Sequence, residues 1–304
     1  MRIVFMGTPD FAVASLDILV KNNYNVVAVV TASDKVGGRG GKELIQSAVK
    51  KYAVANGILV LQPKKLRNED FLAELKSLNA DLQVVVAFRM LPALVWNMPR
   101  LGTINLHGSL LPAYRGAAPI NWAVMNGETE TGVTTFFLQQ EIDTGDILIT
   151  AKMPIGEKEN VGTVHDTMMQ LGAETVLASV KKIESGNYTL TPQDNSKASK
   201  APKLFLENCE INFDQSSKKV FDFIRGLSPF PTAWTRLNEL ILKVYAADFS
   251  LEKHDFASGS FHSDNKNTLK IATQDGFIHL LEIQLQGKKR MNVKDFLNGN
   301  KVSQ

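Results

Sequence analysis

The sequence predicts an α/β chain, a doubly wound and mostly parallel sheet followed by a small, mainly β domain. Three observations predict it. Short apolar runs that read as buried strands alternate with stretches of helical periodicity. Residues 187–203 then turn polar and rich in Ser, Lys and Pro, as an exposed linker does. Beyond them come β-type runs, with glycines at 259, 276 and 287. The expected division is 1–186 for the α/β domain, 187–203 for the linker and 204–304 for the second domain.

Taken in order, residues 3–7 (Ile-Val-Phe-Met-Gly) form an apolar strand ending in glycine. Thr8-Pro9-Asp10 reads as a helix start: threonine as N-cap, proline at the first helical position, an acid in the first turn. Leu16, Leu19 and Val20 carry the helical stripe up to Asn22-Asn23. Strands follow at 24–31, 58–61, 81–87 and 103–107, with helical patterns around 43–56 and 68–78 between them. Two more strands, 131–138 and 145–153, precede a long helix over 164–185. This is a Rossmann-like order, whose ligand crevice lies outside the carboxyl ends of the strands. In the second domain a helix at 216–225 leads through Leu227-Ser-Pro-Phe-Pro231 to β-type runs at 241–249, 268–273 and 277–284. Those make a compact barrel or sandwich.

The bulk properties bound the function. A length of 304 residues allows one large or two ordinary domains. Hydrophobic content of 44% and charged content of 21% are those of a soluble globular chain, and no apolar run is long enough to span a membrane. The opening Met1-Arg2-Ile3-Val4-Phe5 reads directly as strand, without a secretory or transit pattern. One cysteine, Cys209, excludes an internal disulfide and suits a reducing cytoplasm. A net charge of +3 is too small to argue for nucleic acid unless the basic residues cluster. The expectation is a cytoplasmic monomer.

Candidate chemistry concentrates in residues 105–119, a strand that breaks down at Gly108, Pro112 and Gly116. Asn105 and His107 are two apart, so at strand spacing they share a face. The first βα turn, Gly7-Thr8-Pro9-Asp10, lacks the later glycines of a dinucleotide fingerprint, and Pro9 removes an amide donor. A nicotinamide or flavin cofactor is therefore not expected. Ser109 stands in His-Gly-Ser-Leu-Leu rather than a nucleophile elbow, which argues against covalent serine chemistry. His107 and Asp143 give only two metal ligands of the three needed, so no metal is expected. The remaining histidines, 165, 254, 262 and 279, read as surface or packing residues without polar companions.

Asp143 lies in Glu141-Ile-Asp-Thr-Gly-Asp146, and hairpin turn chemistry alone would account for it. Its company changes the reading. An amide donor, an imidazole and a carboxylate together make an acyl-transfer site that needs no covalent intermediate. The amide and a protonated imidazole hold an oxyanion while the carboxylate orients the imidazole.

Asn105-x-His107 with Ser109-Leu110-Leu111-Pro112, then Tyr-Arg-Gly-Ala-Ala-Pro at 114–119 and Asp143-Thr-Gly-Asp146, resembles the folate-dependent formyltransferases. Gly7-Thr-Pro-Asp-Phe-Ala12, the long loop after the second strand and the ending Gly287-Lys-Lys-Arg-Met with Phe296-Leu-Asn-Gly299 are similar to the branch that acts on tRNA. The resemblance implies 10-formyltetrahydrofolate as donor and the α-amino group of methionine on initiator tRNA as acceptor. It implies catalytic roles for Asn105, His107 and Asp143, and a folate site lined by Ser109, Leu110, Leu111 and Pro112. It also implies that the second domain is an OB-like β-barrel. Residues 87–92 depart from the family, which commonly has a glycine and one more residue there; Arg89 is expected to project to solvent.

The loop over 33–51 holds Lys35, Arg39, Lys42, Lys50 and Lys51, with four glycines around Arg39 that let backbone approach a phosphate. On composition alone it is a solvated, mobile loop. The resemblance makes Arg39 and Lys42 contacts to the acceptor end of tRNA; Lys203, in the basic linker, is expected on its charge to be a further tRNA contact. Other basic residues, at 197, 200, 288, 289, 290 and 294, could track an RNA backbone only together. Trp122, Phe230 and Trp234 read as packing residues rather than base-stacking ones. Two rivals remain: a formyltransferase for a sugar or nucleotide amine, and an RNA-binding protein with a vestigial catalytic set.

Overall fold

The computed structural model describes residues 1–37 and 43–302. They form two compact units: 1–116 with 132–153 and 165–200, and 117–131 with 154–164 and 201–304. The division is not a single cut along the chain. Two internal segments belong with the C-terminal part, and 187–200 of the expected linker belongs with the first unit.

In chain order the elements run β1 (Arg2–Gly7), α1 (Asp10–Lys21), β2 (Asn25–Val30), β3 (Lys35–Gly37) and β4 (Glu43–Ile45). Next come α2 (Ala48–Ala55), β5 (Leu59–Leu61), α3 (Glu69–Ser77), β6 (Leu82–Val86), α4 (Ala93–Trp96) and β7 (Thr103–His107). Then follow β8 (Arg115–Gly116), α5 (Pro119–Met125), β9 (Glu130–Phe137), β10 (Ile147–Pro154) and α6 (Val161–Ser185). The main sheet has seven strands in the order β10-β9-β7-β6-β1-β2-β5. Neighbours from β5 to β7 pair in parallel, and β7 pairs antiparallel with β9. Strand addition therefore reverses between β1 and β6, and the carboxyl ends of these strands, where such sheets bind ligands, lie one strand from β7.

The central strands are continuous apolar runs because both of their faces are covered. Ile3, Val4, Phe5 and Met6 are fully buried. Val4, Met6, Ala28, Val30 and Val85 share one core with Phe71 and Leu75 of α3 and Val95 of α4. Gly7 ends β1 where a Cβ would come within 2.7 Å of that of Ala12, so α1 can leave the sheet edge closely only from a glycine.

Two helix starts differ from expectation. Helix α1 takes Pro9, not Thr8, as its N-cap, in extended backbone and with no side-chain cap. The Pro9 carbonyl instead accepts the Ala12 N–H at 3.0 Å. The helical pattern over 43–56 begins only at Ala48, because the Ser47 hydroxyl accepts the Lys50 N–H at 3.0 Å and sets the start there. Residues 43–45 pair instead as β4 with β3.

In the second unit, the chain after β11 (Lys200–Ala201) forms α7 (Ser217–Leu227), β12 (Ala233–Leu237), β13 (Leu240–Leu251), β14 (Phe261–Ser263), β15 (Leu269–Ala272), β16 (Gly276–Leu285), β17 (Met291–Asn292) and α8 (Val293–Gly299). The order β12-β13-β16-β15-β14, with β17 also on β16, is a curled antiparallel sheet of half-barrel kind. Helix α7 turns Val220, Phe221, Ile224 and Leu227 onto its core. Asp222 and Arg225 are buried beside them and paired at 2.7 Å. The Arg225 guanidinium also donates to the Glu159 carbonyl at 2.9 Å.

Trp234 is buried and Trp122 is half-buried against the same core. Phe230 corrects its expectation: it sits between two prolines and is 81% exposed. The histidines of this unit also have polar companions. His254 donates to the Gly276 carbonyl, His262 bonds Ser260 and His279 bonds Ser250. Burial first, and the Lys270 charge second, hold the imidazoles of His262 and His279 below the ordinary range.

Candidate active site

Strand β7 carries Asn105 and His107 to the carboxyl edge of the main sheet. Asn105 lies opposite Val85 of β6 and Phe136 of β9; His107 lies opposite Thr134. The Asn105 side chain is half-buried, and among the described residues its amide has no hydrogen-bond partner. His107 is 6% exposed. Its Nε2 lies 2.9 Å from the Tyr114 carbonyl oxygen, which can only accept, so Nε2 carries a hydrogen. Nδ1 is left facing the Asp143 carboxylate, with Oδ2 at 3.8 Å. That is too long for a hydrogen bond and short enough for attraction once the imidazole is protonated.

Asp143 stands in the turn between β9 and β10 with φ of +56°, a left-handed conformation that aspartate tolerates better than most residues. Its Oδ2 accepts the Gly116 N–H at 2.9 Å. Its carbonyl accepts from Gln193 Nε2 at 2.9 Å, and the same nitrogen donates to the Gly145 carbonyl at 2.8 Å. The Gln193 side-chain oxygen, Oε1, accepts from Arg115 Nε and Nη2, at 3.1 and 2.6 Å. The structure thus brings His107 and Asp143 together on one edge, with Asn105 on the same strand face. Arg115 stands in the 114–119 motif without an assigned role, and Gln193 escapes a sequence reading. Gln193 lies in a stretch with no periodicity, 50 positions from the turn it holds.

The segment after His107 folds into a tight turn. Ser109 is fully buried, and its hydroxyl donates to the Ala113 carbonyl at 2.6 Å. Thr134 of β9, also fully buried, donates to the Ser109 carbonyl at 2.7 Å and accepts the Leu111 N–H at 3.1 Å. With its hydroxyl engaged, Ser109 shapes the turn. Leu111 is buried, while Leu110 and Pro112 stay half-exposed at the edge. Arg89 is exposed, and its guanidinium also donates to the Lys64 carbonyl at 3.0 Å and to that of Pro63.

Arg39 and Lys42 lie outside the described residues. Lys203 is exposed, with its ammonium 5.2 Å from the Phe205 ring centre. Lys50 is committed to Asp34, whose carboxyl is held below its ordinary range by the Gln62 hydrogen bond first and by Lys50 second. Arg290 is paired with Glu282, at 2.6 Å from Nε. Among the described residues no group of three or more His, Cys, Asp or Glu could hold a metal ion, and no helix is long and apolar enough to cross a membrane.

Residues 1–180 match the family described as formyl transferase, and residues 203–301 match the formyl transferase C-terminal domain. A protein of Parabacteroides distasonis named methionyl-tRNA formyltransferase is 55% identical, over 99% of this chain and 96% of its own length. One of the same name from Flavobacterium johnsoniae is 54% identical, over 98% and 96%. Among solved structures, WlaRD, a sugar 3N-formyl transferase, superposes with a TM-score of 0.69 at 20% identity, over 95% of this chain and 99% of its own. That likeness shows a shared fold.

Proposed function

We propose a donor and an acceptor for this chain, which belongs to the formyl transferase family: it moves the formyl group of 10-formyltetrahydrofolate onto the α-amino group of methionyl-initiator tRNA. The observation that carries the acceptor is identity of 54–55% along nearly the whole chain to proteins named for that reaction. On this reading the enzyme acts as a monomer in the cytoplasm.

When bound, 10-formyltetrahydrofolate supplies an acylated nitrogen whose carbonyl carbon an amine can attack directly. An α-amino group has a reference pKa of roughly 7.7–8.0, so part of it is neutral and nucleophilic near pH 7. No activated serine or cysteine is needed. The residues fit such a donor: Asn105 offers a half-buried amide with no partner among the described residues, and Leu110 and Pro112, a few residues on, offer half-exposed apolar surface.

Asn105 donates to the formyl oxygen as charge develops there. His107 spends Nε2–H on the Tyr114 carbonyl, so Nδ1 is the nitrogen that gains a proton and meets the same oxygen. Asp143 pairs with the imidazolium across 3.8 Å and receives the proton that the attacking nitrogen must lose. One C–N bond forms and one breaks, and His107 and Asp143 return a proton to the departing N10. Leu110, Leu111 and Pro112 line the folate side, and Ser109 fixes their turn. Arg39, Lys42 and Lys203 hold the acceptor end of the tRNA.

A competition assay of formyl transfer among methionyl-tRNA, free methionine and glycinamide ribonucleotide tests the acceptor. The reading predicts transfer to methionyl-tRNA alone. Preference for the ribonucleotide would establish a small-molecule enzyme instead.

A further inference from the structure

The geometry points to Gln193 as a positioning residue that, with Arg115, holds the Asp143 carboxylate at His107; this rests on the formyl transfer proposed above. Three consecutive residues tie the site together. The Tyr114 carbonyl takes His107 Nε2, Arg115 grips Gln193, and the Gly116 N–H takes Asp143 Oδ2. Gln193 closes the ring by donating to the carbonyls of Asp143 and Gly145, on either side of Thr144.

Each atom of the Gln193 amide has a defined role. Its nitrogen donates to two carbonyls at 2.9 and 2.8 Å, and its oxygen accepts two N–H groups of Arg115. Arg115 can only donate, so it fixes which end of the amide faces the Asp143 turn. Arg115 is anchored in turn by Asn195, whose side-chain oxygen accepts from Nη2 at 2.8 Å. The turn needs this support, because Asp143 holds a left-handed φ of +56°, a conformation that persists only where its surroundings fix it. Among the described residues the carboxylate itself has only the Gly116 N–H, which does not determine its distance from Nδ1, so its place depends on the backbone that Gln193 holds. Misplacement of about 1 Å by a change away from the chemistry can cost about 100-fold in rate.

The test uses the full chain and steady-state formylation of methionyl-tRNA by wild type, Gln193→Ala, Gln193→Glu, Asp143→Asn and Gln193→Ala/Asp143→Asn. Gln193→Ala should lower kcat by about 10- to 100-fold and leave KM for both substrates within about twofold. Gln193→Glu keeps an acceptor for Arg115 but sets a carboxylate against two carbonyls, so it should lose as much as the alanine variant. In the Asp143→Asn background, Gln193→Ala should cost less than a further twofold, because the group it positions is already disabled. A merely structural glutamine would give multiplicative losses in the double variant, which would overturn the inference. Wild-type kcat in Gln193→Glu would overturn it as well. Should Gln193→Ala not fold, Gln193→Glu carries the test through its kcat. Absence of transfer by the wild type would overturn both the inference and the reading beneath it.

Discussion

Replacing Thr134 with valine tests how the turn after His107 is held. The hydroxyl of Thr134 serves two buried backbone groups, the Ser109 carbonyl at 2.7 Å and the Leu111 N–H at 3.1 Å. Valine preserves the shape, so no cavity contributes and the change isolates the hydrogen bonds. Thr134 and Ser109 are fully buried and Leu111 is 6% exposed, so water cannot replace the lost partner without moving the turn. At about 1–3 kcal/mol for each orphaned buried group, Thr134→Val should cost about 2–6 kcal/mol. Ser109→Ala provides the scale: it frees the carbonyl of Ala113, which is half-exposed and open to water, and should cost about 0.5–1.5 kcal/mol. Urea unfolding followed by circular dichroism reads both, as a shift of midpoint at constant slope. A cost below about 0.5 kcal/mol for Thr134→Val, or a larger cost for Ser109→Ala, would refute this reasoning.

Three further outcomes follow from the same structure. Asn105→Ala should lower kcat by about 100- to 1000-fold, as removal of an oxyanion donor does, with Tm unchanged because the amide has no partner among the described residues; thermal melts beside kinetics check both halves. Arg225→Met strands the buried Asp222 with Lys218 alone, so unfolding should cost about 3 kcal/mol less, and Asp222→Asn in the same chain should restore part of that in urea titrations. The Asp264 carboxyl is pushed down to about 2, chiefly by the N–H groups of Thr268, Asn267 and Lys266. A lowered carboxyl contributes stability that is complete above its ordinary value of 3.8 and is lost as pH falls from there towards 2. Asp264→Asn should therefore flatten the stability profile in that window and leave its slope unchanged near neutrality.

Much of the first unit is legible in the sequence for a definite reason. Strands covered on both faces, such as Ile3 to Met6, are unbroken apolar runs, and 103–107 matches its strand to the residue. Elements resting on local chemistry are read less well. At Thr8 a good capping residue stands before a proline, and the extended proline itself becomes the cap. Short elements such as β14 and α8 owe their place to neighbours: β14 to its ladder with β15, α8 to burial of Val293, Phe296 and Leu297. Spacing alone places Asn105 and His107 on one face of β7. The approach of Asp143, the grip of Gln193 and the buried role of Thr134 depend on residues tens of positions apart, which no local pattern reports.

The most direct measurement is formyl transfer from 10-formyltetrahydrofolate to methionyl-initiator tRNA, by the purified chain and by its His107→Ala variant, with tRNA binding measured on the same samples. The account predicts transfer by the wild type, at least a 100-fold loss in the variant as for a lost oxyanion donor, and binding retained by both. Binding by both with transfer by neither would contradict it, and would make the chain an RNA-binding protein.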